Sequence, residues 1–410
     1  MPVDLTKIPP PLSQPKRAGI WYWVALLFII LLGCALLTLL LSQSYKFTDF
    51  WLWFCLLGLP FLLWLLLFLY SFYLHGCRQY YVTQWNARRD LRLQQLIDFG
   101  QRPLYVLANF IYTQHGKFGN AKGIFKHEIS IVSQRPHAGG TAIPHSALPL
   151  EHNVSESNFS QRLSTVFQDI KNSFQEKLSE LSKIAPLHIR LFIDVPLSEK
   201  EILEIFNTVW KTEFHHTSLK VESAEFGYTF LDKWLDNTTN DNALLLTISC
   251  HLFSFPQANS AEVATALLLS GCGLIESDKL LIDDLDQNSI AEIFRTEHGS
   301  NLDKILNNVL LWGDKSQLPL TTMWYSNISP EAIVEATSYF NKNKITIDNN
   351  LNIDFSLGYA GHCAYWLSLA IAIEQAIDWQ EKQLILCGKS EISASVVSKY
   401  NPNQNMKDAS

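Results

Sequence analysis

Two apolar runs limit what this chain can become. Ile20–Leu41 holds 22 residues without a charged side chain, and Trp51–Leu74 holds 24. About 20 helical residues cross a hydrocarbon layer of ~30 Å, so each run is long enough to span a bilayer. A cleaved signal peptide has a shorter apolar core and small residues at its exit. The first run has neither, and the second follows it after the nine residues Ser42–Phe50. The expected arrangement is a helical hairpin with both chain ends on one side. Lys7, Lys16 and Arg17 precede it and Arg78, Arg88, Arg89 and Arg92 follow, whereas the connection holds only Lys46, offset by Asp49. Cations collect on the cytoplasmic side, so both termini are expected there. Trp21, Tyr22 and Trp23 at one end, with Trp51 and Trp53 at the other, suit interfacial aromatic belts. Tyr70, Phe72, Tyr73, Tyr80 and Tyr81 extend the cytoplasmic one. Pro60 is expected to kink the second span. Neither run carries a charge of the kind that marks an ion or proton path, so a plain anchor is the expectation.

Beyond the hairpin the balance turns acidic. Residues 76–410 carry 28 Lys and Arg against 37 Asp and Glu, a net charge of −9. Such a surface does not neutralise phosphates and argues against nucleic acid as a partner. With 48% hydrophobic and 17% charged residues, against about 25% charged in soluble domains, the whole chain is not a freely soluble protein. It is not a disulfide-rich secreted domain either. Cys34 and Cys55 lie in the spans, Cys77 at their edge, and Cys250, Cys272, Cys363 and Cys387 mostly in apolar segments without C-x-x-C spacing. Reduced, buried thiols are expected, with no structural zinc and no cofactor.

The expected organisation is a cytoplasmic tail (1–19), two spans (20–42 and 51–75), a basic juxtamembrane helix (76–98) and a cytoplasmic domain (99–410). Arginines of the juxtamembrane helix can meet anionic head groups. Within the domain, strand and helix signals alternate. RPLYVLANF (102–110), HIRLFIDV (188–195), ALLLTISC (243–250), AEVATALLL (261–269) and QLILC (383–387) read as strands, with a short one over 345–347. Residues 159–184, 199–210, 330–341 and 361–376 read as helices. Gly- and Pro-rich Arg135–Leu150 reads as a loop or ordered crossover. Alternation of this kind predicts an α/β architecture around a parallel or mixed sheet. No repeat of 20–50 residues is visible.

Most chemical signatures are missing. The chain has no phosphate-binding G-x-x-x-x-G-K-[ST] or G-x-G-x-x-G, no G-x-S-x-G and no H-E-x-x-H. His127–Glu128 stands alone, His215–His216 lies in a polar stretch, and Asp283, Asp284 and Asp286 lack the spacing of a calcium loop.

Two segments say more. Asn242–Gly271 runs from an apolar strand through a polar excursion at Pro256 into Ser260-Ala261-Glu262 and a second apolar strand. Asn352–Gln375 (NIDFSLGYAGHCAYWLSLAIAIEQ) leads into QLILC. In order and spacing these resemble the thiolase and β-ketoacyl synthase superfamily, where a "GEAAAALLL"-like strand is followed later by a turn such as "LGHTGAAAG" that carries a catalytic histidine. The resemblance covers roughly a third of the cytoplasmic part. It implies a thiolase-like mixed sheet layered with helices, and it places Gly361-His362 at the catalytic turn. Aligning Leu357-Gly358 instead puts Tyr359 at the histidine position.

The sequence also departs from that pattern. Tyr365 and Trp366 replace small residues, no Lys precedes the turn, and no H-G-T-G-T segment exists. Condensation needs an activated cysteine on a strand-to-helix elbow, and Val221–Trp234 (VESAEFGYTFLDKW), where it belongs, has none. His362 and Cys363 are therefore expected to be vestiges of a catalytic site. Cys250 or Cys363 beside His251 or His362 is the remaining route to an acyl-transferring enzyme. Membrane-anchored thiolase-like proteins without catalytic residues resemble accessory proteins of bacterial type VI secretion. This implies an inner-membrane adaptor for a secreted toxin such as a lipase effector, with an immunity protein as the alternative.

Overall fold

The structure, a computed structural model, describes residues 3–42, 49–136, 139–150, 155, 157–210, 215–224, 227–276, 289–389 and 391–401. Lys46 and the Asp283, Asp284, Asp286 cluster lie outside the described residues. The chain forms two compact units, Asp4–Leu96 and Ile97–Ser410 with Met1–Val3.

In the first unit, α1 (Ile20–Ser42) is followed by Asp49–Trp53, a π-helical turn Phe54–Gly58 and α2 (Leu59–Gly100). The π turn precedes Pro60, whose missing N–H leaves a carbonyl without its i+4 donor and favours a local change of helical pitch. Residues 76–98 do not form a separate helix. They continue the second apolar run within α2, with Gly76 at the junction tolerated inside the helix and no proline after Pro60 to interrupt the ladder. Both helices are long and apolar enough to cross a membrane and are largely exposed. Their large apolar side chains, among them Phe28, Leu32, Leu36, Leu66 and Leu69, point outward all round rather than along one core-facing stripe. The Trp64 indole N–H donates to the Trp23 carbonyl at 2.8 Å, and Phe68 packs between the Trp23 and Trp64 rings.

The second unit is built on one 11-stranded sheet. Its strands are β1 (Leu104–Tyr112), β2 (Leu187–Asp194), β3 (Ser218–Val221), β4 (Leu244–His251), β5 (Val263–Ser270), β6 (Ala291–Ile293), β7 (Glu297–Gly299), β8 (Leu320–Ser326), β9 (Asn349–Asn352), β10 (Lys382–Cys387) and β11 (Ile392–Lys399). The spatial order is β9-β8-β10-β11-β6-β1-β5-β4-β2-β3, with β7 on β11. This order contains a duplication. In the first half β3, β2 and β4 run parallel, while β5 is antiparallel to both β4 and β1. In the second half β9, β8 and β10 run parallel, while β11 is antiparallel to both β10 and β6. Each half therefore has its strands in the order third, second, fourth, fifth, first. The halves join where β1 meets β6 antiparallel. Only the backbone arrangement repeats, so a scan for short sequence periods does not find it.

Layering follows from the strand pattern. Leu244, Leu246, Ile248 and Cys250 of β4 face a cluster with α3 (Phe159–Leu181) and α4 (Glu199–Trp210). Leu245 faces the opposite cluster with α5 (Gly227–Asp236) and, beyond α6 (Leu302–Trp312) and α7 (Pro330–Lys342), α8 (Ala364–Trp379). A strand buried on both faces reads as a near-continuous apolar run, broken in β4 by Thr247 and Ser249 and in β5 by Thr265, which makes both strands legible in the sequence. Helix α8 packs against strands of both halves, and a helix apolar on all sides needs such a setting. Against the expectation of a strand over 345–347, the Ile345 N–H caps the helix Pro330–Lys342 by donating to the Phe340 carbonyl, past Lys344 at φ 56°. The strand forms instead at β9. Within Arg135–Leu150, Ile143–Ser146 pairs with Ser133–Gln134 and Ser260–Ala261 in a small sheet.

Two carboxyls, Glu292 buried and Asp232 half-buried, tie these elements together. Asp232 of α5 accepts the Thr296 N–H at 3.0 Å, and Glu292 of β6 accepts the Ser398 hydroxyl at 3.2 Å. Burial pushes both up to about 7. The folded chain thus keeps protons that the unfolded chain releases near pH ~4. Stability is therefore lost as pH rises through that interval and levels off above about 7, on the order of 3 kcal/mol for Glu292. The melting temperature of detergent-solubilised protein should fall from pH ~5 to ~7.5, and D232N/E292Q should flatten the curve. A melting temperature rising over this range would contradict this assignment.

Candidate functional site

The carboxyl ends of parallel strands are where open α/β sheets gather polar groups. Here β2 ends in Asp194 and β4 in His251, directly paired in register. The His251 ring donates from Nδ1 to Asp194 Oδ2 at 2.8 Å. Both side chains are partly exposed, 16% and 32%. Their hydrogen bond is the main cause that holds the Asp194 carboxyl below its usual range; burial opposes it, and His362 adds to it through charge and its backbone N–H. An Asp-held imidazole leaves Nε2 free, the arrangement a general base uses.

The turn Gly361–Cys363 lies against this pair. Gly361 has φ 55°, and a Cβ there would sit 2.7 Å from His251 Cε1 and 3.1 Å from Asp194 Oδ2. Only glycine satisfies both the left-handed backbone and this approach. The His362 side chain is exposed, whereas Cys363 is fully buried with its Sγ 3.6 Å from the Phe192 carbonyl. Burial pushes the Cys363 thiol up to about 12. Burial also raises Cys250, with Cys363 as the next cause. The structure thus brings Cys250, Cys363, His251 and His362 to one region. Both thiols sit on the protein side of it, protonated at neutral pH, and a thiol rather than a thiolate is a poor nucleophile.

A second polar group adjoins the first. Tyr359 bridges to Ser260 through backbone bonds to Asn259 and Ala261, and its hydroxyl accepts from Asn327 Nδ2 at 3.3 Å. Burial raises that hydroxyl, followed by Cys387, Asp354 and Asp194. Asp354 accepts from the Ser326 hydroxyl and the Asn327 N–H, both at 2.6 Å, and burial raises its carboxyl in spite of them.

Tyr365 and Trp366 fill the interior behind the turn. The Tyr365 hydroxyl bonds Thr296 at 3.0 Å and Ser395 at 3.2 Å. Trp366 packs on Phe192 with ring centroids 4.7 Å apart, and its Nε1 would lie 2.4 Å from a Cβ at Gly227. The indole thus occupies the space at the start of α5. Glu225 and Phe226, just before that helix, lie outside the described residues. No metal-holding group of His, Cys, Asp or Glu occurs among the described residues.

Sequence reading singled out His362, Cys363 and His251 as candidates but not Asp194, the partner of His251. HIRLFID and LLLTISCH are apolar strands that each end in a titratable residue, which marks Asp194 and His251 singly but not their pairing.

No protein-family model matches the chain, and no curated protein matches it. Solved structures do. A type II PKS acyl-carrier protein in complex with its ketosynthase matches at TM-score 0.52 and 10% identity, covering 73% of this chain and 99% of that one. The ketosynthase of module 6 of the Bacillus subtilis bacillaene synthase has TM-score 0.48, 10% identity and 73% and 71% coverage. The dimeric peroxisomal thiolase of Saccharomyces cerevisiae has TM-score 0.46, 8% identity and 75% and 100% coverage. The chain has a mixed-sheet α/β thiolase-like fold, preceded by two apolar helices long enough to span a membrane.

Proposed function

We propose that this chain is a membrane-anchored, non-catalytic binding protein that displays a thiolase-like fold to a protein cargo at the cytoplasmic face of a bacterial inner membrane. The cargo class is a secreted toxin such as a type VI secretion lipase effector, as the sequence resemblance implies. The observation that carries this reading is the state of Cys250 and Cys363, which lie near the histidines yet are fully buried and held as thiols. Tyr365 and Trp366 add to it by filling the interior behind the turn. The full chain, tagged and solubilised in detergent from its own membranes, should co-purify a secreted toxin, and H362A should co-purify it equally. A hundredfold loss of biological activity in an H362A variant that still folds, reaches the membrane and holds its cargo would overturn the non-catalytic reading. A periplasm-dependent reporter fused after Ser410 should be silent. An active one would favour the immunity role instead.

A second reading, acyl transfer, is favoured by the Asp194–His251 pair, which retains the form of a general base. It requires H251A to abolish turnover of an acyl thioester.

A further inference from the structure

We propose that the first unit carries a binding site for the head group of an anionic phospholipid, formed where the chain's N-terminal tail returns along α2. This rests on the reading of the two helices as a membrane anchor. The tail is fixed rather than trailing. Leu12 N–H donates to Asn86 Oδ1 at 2.9 Å, Asn86 Nδ2 donates back to the Leu12 carbonyl at 3.0 Å, and Arg89 Nε donates to the Pro9 carbonyl at 2.9 Å. Held in this way, the tail carries Lys16 and Arg17 to the level of His75 and Arg78. Between them lies a cavity of about 210 Å³. Arg17 sits over the Phe72 ring, 4.8 Å from its centroid, a cation–π contact that leaves guanidinium donors for an oxyanion.

The cavity has two chemical halves. One carries Lys16, Arg17 and Arg78 with the Ser71 hydroxyl, and no carboxylate among the described residues lines it. The other is the apolar wall of Trp23, Phe68 and Leu74, where the long uncharged runs of both helices end. Cations against an anionic leaflet select negative lipids over neutral ones, and an apolar wall beside them accommodates the glycerol and first acyl carbons. A phosphodiester joined to hydrocarbon fits both halves. Free phosphate fits only one.

The test uses the full chain in detergent, exchanged into phosphatidylcholine bilayers with and without phosphatidylglycerol, and counts retained lipid by native mass spectrometry. The parent should retain phosphatidylglycerol in preference. R17Q/R78Q should weaken that preference roughly 25-fold, about fivefold per cation, while the charge-matched R88Q/R92Q, about 15–21 Å further along α2 and beyond the screening length, should weaken it far less. Equal losses in the two variants, or no preference in the parent, would overturn the site. Displacement of the lipid by inorganic phosphate alone would overturn the choice of lipid over free phosphate. Alkaline carbonate extraction separates the two readings. A chain released from membranes contradicts the anchor, whereas a retained chain without lipid preference contradicts only this site.

Discussion

Arg162→Met is expected to lower the melting temperature of the detergent-solubilised protein by about 5–8 °C. Arg162 of α3 and Glu262, between Ala261 and β5, form a 2.5 Å ion pair with side chains only 6% and 2% exposed. The same Glu262 oxygen accepts the Leu148 N–H at 3.0 Å, and the Glu262 backbone N–H donates to the Ser146 carbonyl at 2.8 Å. One carboxylate therefore fastens a helix and the 143–148 segment to the sheet. Removing only the cation leaves that carboxylate buried with too little compensation, a loss of roughly 3–5 kcal/mol. Replacing both partners by apolar residues removes the charge as well as its partner, so R162M/E262L should regain most of the loss. A single variant that melts with the parent would mean that water reaches Glu262 and that the segment is held by other contacts.

Trp366→Ala should cost a similar amount, about 3–5 kcal/mol, because a fully buried indole leaves a cavity that its neighbours fill only in part. Phe192 on one side and Gly227 on the other cannot both move inward, as each belongs to a separate packed element, β2 and α5. The indole N–H has no hydrogen-bond partner among the described residues, so W366F removes an unsatisfied donor while keeping most of the volume. It should cost less than ~1.5 kcal/mol. Thermal unfolding of the two variants beside the parent separates these outcomes. Equal losses for Ala and Phe would show that volume is not what Trp366 supplies.

The parts of the fold that could be read in the sequence are those where one physical term dominates. β4 and β5 are buried on both faces, which leaves near-continuous apolar runs, and α8 is apolar on every side. Strands β3 (SLKV) and β9 (NNLN) carry no such signal, because each lies at an edge of the sheet and is fixed by its neighbour's hydrogen bonds rather than by its own composition. The duplication was hidden for a related reason. β4 (LLLTISCH) and β10 (KQLILC) occupy the same place in the two halves and share little beyond being apolar. At the site, Gly361-His362 could be read from a local motif. The Asp194–His251 pair could not, since 57 residues separate its members and only the parallel register of β2 and β4 brings them together.

The central claim is that no cysteine of this fold acts as a nucleophile, and intact-mass analysis tests it most directly. The full chain in detergent would be incubated at neutral pH with a long-chain acyl thioester and, in parallel, with iodoacetamide, then digested to locate the modified thiols. Exposed Cys77 serves as the internal control. The expected result is alkylation of Cys77 while Cys250 and Cys363 stay unmodified, with no acyl adduct on either buried thiol. An acyl adduct on Cys250 or Cys363, formed by the native protein and lost in H251A, would contradict the account and identify an acyl-transferring enzyme.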